Sequence, residues 1–320
     1  MKMRPRVAGV AAATAVLLVM GSCTAAGTTV TSTTAVASTT SSTTSSSTTS
    51  QAPPGPAQDD LALAGYLGSL YEIDADLSEE LAGPYVSDDM QYEIATLENA
   101  AARIAELDPP PLVLQLHQDS IDVLVRFADV FRLFAEIEAT ATEANAEELL
   151  SAAMGDVTAV AGDMLDARSE RDRMAVVVLT AEADDPNAWF IVQMLTIQAK
   201  ATPVTENVVA VVGEIFSNPD IEIEDLAVAI GEFAPIVDAW REVEAPPRFE
   251  SLRRRSEEVL SAVLGLVAEL LDGAQTGDGS TDEADSMAMA IELSTLSLKM
   301  QLLEIERARA VGAVLRELSE

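Results

Sequence analysis

Few side chains in this sequence have the type and spacing that metal or nucleophilic chemistry requires. The 320 residues include one His and one Cys, too few for an internal disulfide, a structural zinc site or the paired Glu-x-x-His motifs of a di-iron bundle. A Ser-His-Asp triad would have to use that one His, and no Gly-rich phosphate loop is present. The sequence therefore predicts no cofactor and favours a protein that is not an enzyme.

Two polar features resemble sites only in part. Residues 278–283 include the acidic residues Asp278, Asp282 and Glu283, but they lack the turn glycine of a calcium loop, and Met289 stands where a bidentate Glu belongs. We interpret this segment as a flexible loop leading into a helix. His117 lies beside Leu116 on a predicted apolar seam, and we interpret it as a solvated flank rather than a metal ligand.

The basic residues form one cluster, Arg248 with Arg253, Arg254 and Arg255. Arg254 has Glu250 and Glu258 four residues away on either side, and Arg253 has Glu257, so the pattern favours surface ion pairs. A docking patch for an acidic partner is the alternative.

Arg171 and Arg307 are the polar residues that interrupt two otherwise apolar seams. An unpaired charge in such a seam costs on the order of 3–5 kcal/mol, so each guanidinium needs a partner. When the fourth helix of each repeat folds back on the third, each Arg lies near the elbow before the third helix. We expect structural ion pairs there, and the carboxylates available are Glu106 and Asp108 for Arg171, and Glu242 and Glu244 for Arg307. The alternative is that each Arg binds an anion inside its bundle.

The body of the chain contains an internal sequence duplication. A shift of 136 residues aligns apolar positions without a gap from about 88–182 to 224–318. Ile94 meets Ile230, Ile104 meets Trp240 and Arg171 meets Arg307. With one residue of slippage the match extends back, so that Ile73 meets Val208. We therefore divide the body into repeat 1, residues 59–183, and repeat 2, residues 184–320.

Each repeat reads as four helices separated by Pro and Gly breaks. The predicted helices are 60–82, 88–107, 111–139 and 146–182 in repeat 1, and 187–217, 222–243, 247–272 and 282–318 in repeat 2. Asn145 with Glu148 three residues later has the spacing of a capping box. Pro203 and Pro235 are expected to kink or interrupt their helices.

The apolar spacing within these helices alternates by three and four residues, which is typical of a heptad seam. Short elbows make neighbouring helices antiparallel. The sequence therefore predicts an all-α fold of two tandem, duplicated, antiparallel four-helix bundles, either separate or merged along a pseudo-two-fold axis. Ser120 and Ser256 take the same seam position in the two repeats.

The N-terminus has the pattern of an export signal. Three basic residues lie in the first six positions, and an unbroken apolar and small-residue run of 14 follows from Val7 to Met20. This run is too short for a comfortable membrane span, so residues 1–22 are predicted to be a signal peptide.

Met20-Gly21-Ser22-Cys23 resembles the lipobox of bacterial lipoproteins, in which small residues precede a cysteine. The resemblance covers residues 1–23 and implies that Cys23 is acylated and becomes the first residue of the mature protein. Met20 replaces the usual Leu of that motif, and the Gly-Ser order is uncommon. Ordinary cleavage after Ala26 or Ala37 is the alternative and would release a secreted protein.

A Ser/Thr-rich segment separates this signal from the body. Between Thr24 and Ser50, 20 of 27 residues are Ser or Thr, and a Pro-rich stretch follows. Such a composition does not bury a core, so residues 23–58 are predicted to be a disordered tether.

The net charge excludes two classes of partner. The chain carries 19 Lys and Arg against 53 Asp and Glu; three basic residues precede Gln58 and every acidic one follows it, which leaves the body at 16 against 53, or −37. Such a surface repels phosphate backbones and anionic lipid, so we expect no nucleic acid and no peripheral membrane adsorption.

These patterns together predict an exported binding or scaffold lipoprotein on the extracytoplasmic face of the cell membrane, held there by its lipid anchor and able to bind an envelope protein partner. The first alternative is a small-ligand receptor that holds an anion with Arg171 and Arg307. The second is an envelope hydrolase that works with two carboxylates. A pocket between helices favours the receptor, whereas solid cores favour the scaffold.

Overall fold

The computed structural model describes residues 58–82, 90–142, 145–217, 223–276 and 283–320. These residues form eight α-helices and no strand, which confirms the predicted all-α class. In chain order the helices are α1 (Gln58–Leu81), α2 (Gln91–Ala105), α3 (Leu114–Thr140), α4 (Ala146–Thr180), α5 (Pro186–Ser217), α6 (Ile223–Glu242), α7 (Glu250–Thr276) and α8 (Glu283–Ser319). A short 3₁₀ turn, Pro111–Val113, precedes α3.

The helix bounds agree with the sequence pattern to within four residues. Helices α3 and α7 have the same length, and a shift of 136 residues places one on the other from end to end. Pro203 and Pro235, expected to kink or interrupt their helices, do not interrupt them: they lie inside α5 and α6, which continue past both. The expected capping box does not form, because Asn145 Oδ1 accepts hydrogen bonds from the backbone N–H and the hydroxyl of Thr142 instead.

The heptad seams are the buried faces of the helices. In α3 the apolar seam residues, from Leu116 through Phe127 to Ile137, are all buried. In α4 and α8 the seams bury Val157 and Leu303 and also both predicted arginines, Arg171 and Arg307. Burial of these stripes, rather than helix propensity alone, holds the helices together.

Each repeat closes a ring of four helices, and the two rings share a face. Helices α1 to α4 contact one another in sequence and α1 returns to α4; α5 to α8 do the same. Helix α1 packs most extensively on α8, and α4 packs on α5. The two bundles are therefore merged, and one apolar core that includes Leu67, Leu97, Ile191 and Leu315 extends through both.

Helices α1 and α8 are antiparallel and approach each other very closely. Arg316 pairs with Glu72 and Arg309 pairs with Glu79, so residue numbers run in opposite directions along the two helices. Gly68 and Gly312 face each other at the crossing, where a Cβ on Gly312 would lie 3.1 Å from the carbonyl oxygen of Gly68. The absence of side chains here lets the terminal helices of the two repeats touch backbone to backbone.

Several predicted features lie outside the described residues. These are the signal peptide, Cys23, the Ser/Thr-rich tether before Gln58, and most of the acidic segment 278–283. In the part of the chain that is described, none of the helices combines the length and apolarity needed to cross a membrane.

Candidate functional site

A cavity of about 850 Å³ lies where the two bundles meet, with walls from α1, α4, α5 and α8. Its floor is made of buried residues of α1 and α8, among them Tyr71, Leu77, Arg307 and Val311. The cavity exists because α1 and α4, and likewise α5 and α8, touch over only short stretches. Its volume is in the range of ligand pockets in proteins.

The mouth of the cavity is a cleft between α4 and α5. Asp166, Ser169, Arg173 and Val177 on α4 line the cavity and are exposed. Their spacing of three and four residues puts them on one stripe of the helix. Lys200 and Pro203 do the same on α5. A ligand would therefore enter between α4 and α5 and reach a floor made by α1 and α8.

Arg171 is held by α1 and by its own neighbour in the chain. Its Nη1 donates to Asp74 Oδ2 at 2.9 Å, and its Nε lies 3.3 Å from Asp172 Oδ1. Its Cζ lies 3.9 Å from the centroid of the Tyr71 ring, which adds a cation–π contact. Arg168 Nη2 donates to the second oxygen of Asp74 at 2.5 Å. Arg171 is thus buried and paired, as its place on the seam requires.

Burial and neighbouring charges shift the pKa values of the groups in this network. Burial alone would raise the pKa of Asp74, but the guanidinium groups of Arg168 and Arg171 outweigh it and hold that pKa well below its usual range. Asp172 differs, because burial raises its pKa and Glu304 adds to the effect, against the lowering influence of Arg171. Tyr71 donates its hydroxyl to Asp172 Oδ1 at 2.5 Å. Burial also raises the pKa of Tyr71 well above its usual value.

Arg307, the counterpart of Arg171 in repeat 2, has a different environment. Its Nη1 donates to Glu304 Oε1 at 2.5 Å, and Gln198 Nε2 donates to the other oxygen of that carboxylate at 2.9 Å. Its Cζ lies 5.3 Å from the centroid of the Trp240 ring. Arg307 is only 8% exposed, and its Nε is a buried donor that has no acceptor. A guanidinium with an unused N–H therefore borders the cavity.

The predicted elbow pairs are wrong for both arginines. Glu106 and Asp108 are not the partners of Arg171, and Glu242 and Glu244 are not those of Arg307. The prediction assumed that each Arg faces the elbow before the third helix of its repeat. The seam of α4 instead turns Arg171 toward α1, and α8 carries its own carboxylate one turn before Arg307.

The charge of the cavity lining contrasts with that of the whole protein. The lining carries five basic residues, Arg168, Arg171, Arg173, Lys200 and Arg307, against four acidic ones, Asp74, Asp166, Asp172 and Glu304. The chain as a whole has a net charge of −34. Basic residues are thus concentrated where the two repeats meet.

The other candidates from the sequence lie elsewhere. His117, expected on a solvated flank, is instead partly buried, and its Nδ1 lies 3.1 Å from the Tyr66 hydroxyl. Arg253 and Arg254 pair with Glu257 and Glu258 as the spacing predicts, and Arg248 and Arg255 pair with Glu317 and Glu306 on α8. Through Arg255 and Arg248, the basic cluster therefore connects α7 and the turn before it to α8.

Four residues of the site were not singled out from the sequence. Tyr71 and Asp74 lie on α1, Glu304 lies on α8, and Lys200 is one of only two lysines in the body. Asp74 and Glu304 are two among 53 acidic residues. The rarity of Lys in the body could have singled out Lys200.

Among the described residues, no group of three or more His, Cys, Asp or Glu side chains is arranged to hold a metal ion. Comparison with protein families, curated proteins and solved structures finds no match to this chain.

Proposed function

We propose that this protein is a receptor that holds a small anionic ligand in the central cavity, on Arg307. The observation that carries the proposal is that Arg307 lines a cavity of about 850 Å³ and that its buried Nε has no acceptor. Leaving such a donor unpaired costs about 1–3 kcal/mol, and an oxygen of an anionic ligand would recover that energy as a charge-assisted hydrogen bond.

The two arginines do not share this task. Among the described residues, Arg171 donates its hydrogen bonds to Asp74 and Asp172, so we assign it a structural role. Arg307 has one carboxylate partner in the described part of the chain, Glu304. The receptor therefore has one anion site at the junction of the repeats, rather than one in each bundle.

The binding test uses the full chain and pairs of small molecules that differ in charge. Octanoate and benzoate, with citrate and sulfate as polar anions, are compared with octylamine and benzylamine by the shift that each causes in the melting temperature. We expect at least one anion to raise the melting temperature and the amines to leave it unchanged.

Two variants with the same change in net charge make this test specific. Arg307→Gln removes the free donor and should abolish the shift. Arg309→Gln removes an exposed guanidinium that pairs with Glu79 on the surface, and it should preserve the shift. An unchanged shift in Arg307→Gln, or no shift with any anion in the wild-type protein, would contradict the proposal.

Export and anchoring complete the proposed function. The signal-peptide pattern and the lipobox resemblance at Cys23 support a receptor attached by lipid to the extracytoplasmic face of the membrane, and the Ser/Thr-rich segment supports a flexible connection to it. Cys23→Ala should leave an unprocessed precursor or a released protein. Mature-sized Cys23→Ala protein that still partitions with membranes would exclude lipidation.

A further inference from the structure

We infer that the ligand is an amphipathic monocarboxylate, with one carboxylate on Arg307 and an apolar body along the floor of the cavity. This inference rests on the proposed anion site and adds the chemical class of the ligand.

The number of free donors limits the charge of the ligand. Arg168 and Arg171 both donate to Asp74, and Arg173 on the rim donates through two nitrogens to Glu170. Arg307 is therefore the buried guanidinium whose N–H has no acceptor. Because Arg307 is already paired with Glu304, its one free N–H suits one carboxylate group rather than a more highly charged headgroup.

The carboxylates of the lining oppose a second negative charge. Glu304 Oε1 lies 2.5 Å from Arg307 Nη1, so a ligand oxygen on Nε of the same guanidinium lies close to Glu304. Asp74 and Asp172 also line the cavity. A ligand with two charges on one headgroup would meet repulsion from all three carboxylates in a partly desolvated site.

The remaining walls favour an apolar body. Buried aliphatic side chains line the cavity from all four helices: Leu77 and Leu81 from α1, Met164 from α4, Leu195 from α5, and Ala308 and Val311 from α8. These surfaces gain free energy from contact with hydrocarbon but offer nothing to a polar body.

The size of the cavity suits a chain of ten or more carbon atoms. At about 30 Å³ each, twelve heavy atoms of a ligand such as decanoate take up about 360 Å³. This is less than half of the 850 Å³ in the cavity. A body of this length can therefore extend along the floor from a headgroup on Arg307.

Lys200 provides an attractive charge at the mouth. It is exposed on the rim and makes no ion pair with any of the described residues. An ammonium group there draws a carboxylate into a cleft whose surroundings are otherwise strongly negative.

Four probes separate headgroup, charge and body in titration calorimetry of the full chain at pH 8, each below its micelle concentration. Decanoate has the inferred headgroup and body, 1-decanol lacks the charge, acetate lacks the body, and decyl phosphate carries a second charge. We expect decanoate to bind at least tenfold more tightly than 1-decanol and decyl phosphate, and acetate to show no binding. Equal or tighter binding of 1-decanol or decyl phosphate would overturn the inference.

Three variants locate the probe. Arg307→Gln should reduce the affinity for decanoate at least tenfold, to that of 1-decanol, whereas Arg309→Gln should leave it unchanged. Val177 is 61% exposed on the rim, so Val177→Glu should weaken decanoate binding without a change in melting temperature, even if Arg307→Gln fails to fold. Decanoate binding that none of these cavity variants alters would overturn the inference.

The same measurements distinguish a failure of the inferred ligand class from a failure of the proposed anion receptor. If citrate or sulfate binds in an Arg307-dependent way and decanoate does not, the ligand class is wrong and the anion receptor stands. If no anion of either kind binds in an Arg307-dependent way, both are wrong.

Discussion

At the residue scale, two arginines that the duplication makes equivalent have diverged into different roles. Arg171 has a carboxylate from α1 and another from its own helix, and it stacks on Tyr71. Arg307 stacks on Trp240 and keeps a donor without an acceptor. The aligned residues explain part of this difference, because Asp74 of repeat 1 corresponds to Val209 in repeat 2 and Ile104 corresponds to Trp240.

The first prediction compares the same substitution at both positions. Arg171→Met leaves Asp74 and Asp172 without their buried partner, so we expect it to lower the free energy of unfolding by on the order of 3–5 kcal/mol. Arg307→Met removes an unpaired donor, but it also removes a cation–π contact and an ion pair with the partly exposed Glu304. These effects oppose each other, so we expect a change of about 1 kcal/mol or less. Urea denaturation of both variants measures this difference.

A second substitution identifies the partner of Arg171. The loss caused by Arg171→Met should shrink in an Asp74→Asn background, because no buried charge is then left there unpaired. Neutralising Glu106 and Asp108 should not reduce the loss. Equal losses for Arg171→Met and Arg307→Met would show that the ion pairs of Arg171 contribute no more to stability than those of Arg307.

The second prediction concerns the response to acid. The pKa of Asp74 is lower in the folded protein than in the unfolded chain, so its stabilising contribution is present above about pH 4, the ordinary Asp pKa, and is lost as the pH falls toward its folded-state value. The wild-type protein should therefore lose more stability between pH 5 and pH 3 than Asp74→Asn does. Asp172 acts in the opposite direction because its pKa is raised. Parallel stability curves for the two proteins in this range would exclude the role given to Asp74.

At the scale of the helices, the contact between α1 and α8 holds the two repeats against each other. It depends on Gly68 and Gly312, because any side chain at these positions would meet the backbone of the opposite helix. In an isolated helix, Gly is less stable than Ala by about 1 kcal/mol. These two glycines therefore serve the close approach of α1 and α8 rather than the stability of either helix alone.

The third prediction uses glycines in different surroundings. Gly312→Ala places a Cβ 3.1 Å from Gly68 O and 3.3 Å from the Tyr71 Cβ, so we expect it to destabilise the protein by about 1–3 kcal/mol. Gly155→Ala in α4 meets nothing within 4 Å and should stabilise by about 0.5–1 kcal/mol. Thermal unfolding of the two variants gives the comparison, and stabilisation by both would show that α1 and α8 do not pack this closely.

The helices themselves could be predicted from the sequence, but the contacts between the repeats could not. Proline breaks and heptad spacing locate eight helices, because both act within one element. The packing of α1 on α8 joins residues more than 230 positions apart, as in the pair of Arg316 with Glu72. No local pattern selects Asp74 over Glu106 as the partner of Arg171, since both are acidic residues within reach of a folded-back helix. The pairing depends on which face of α4 meets α1.

At the scale of the whole molecule, duplication and merging create a cavity that neither bundle contains alone. Its walls come from the first and last helices of each repeat. The basic residues in its lining contrast with the net charge of −34 on the whole chain. Under the proposed function, an anion should therefore be attracted at short range inside the cavity and repelled at long range.

The fourth prediction follows from this opposition of charges. Raising the ionic strength from about 10 mM to 150 mM shortens the Debye length from about 30 Å to 8 Å, which screens the distant carboxylates more than the buried contact with Arg307. Association of decanoate should therefore become faster as KCl is added over this range, whereas association of 1-decanol should not change. A fall in the decanoate rate with added salt would show that attraction by basic residues at the mouth outweighs the long-range repulsion, and it would contradict this prediction.

The central claim is that the unpaired Nε–H of Arg307 binds the anionic group of a ligand. The Nε–Hε signal of this side chain in a ¹H–¹⁵N spectrum, assigned through its loss in Arg307→Lys, reports on that atom directly. Addition of decanoate to the full chain should shift the Hε resonance downfield and slow its exchange with water, while the Arg309 signal stays in place. An Arg307 signal that does not move when decanoate is bound would contradict the account.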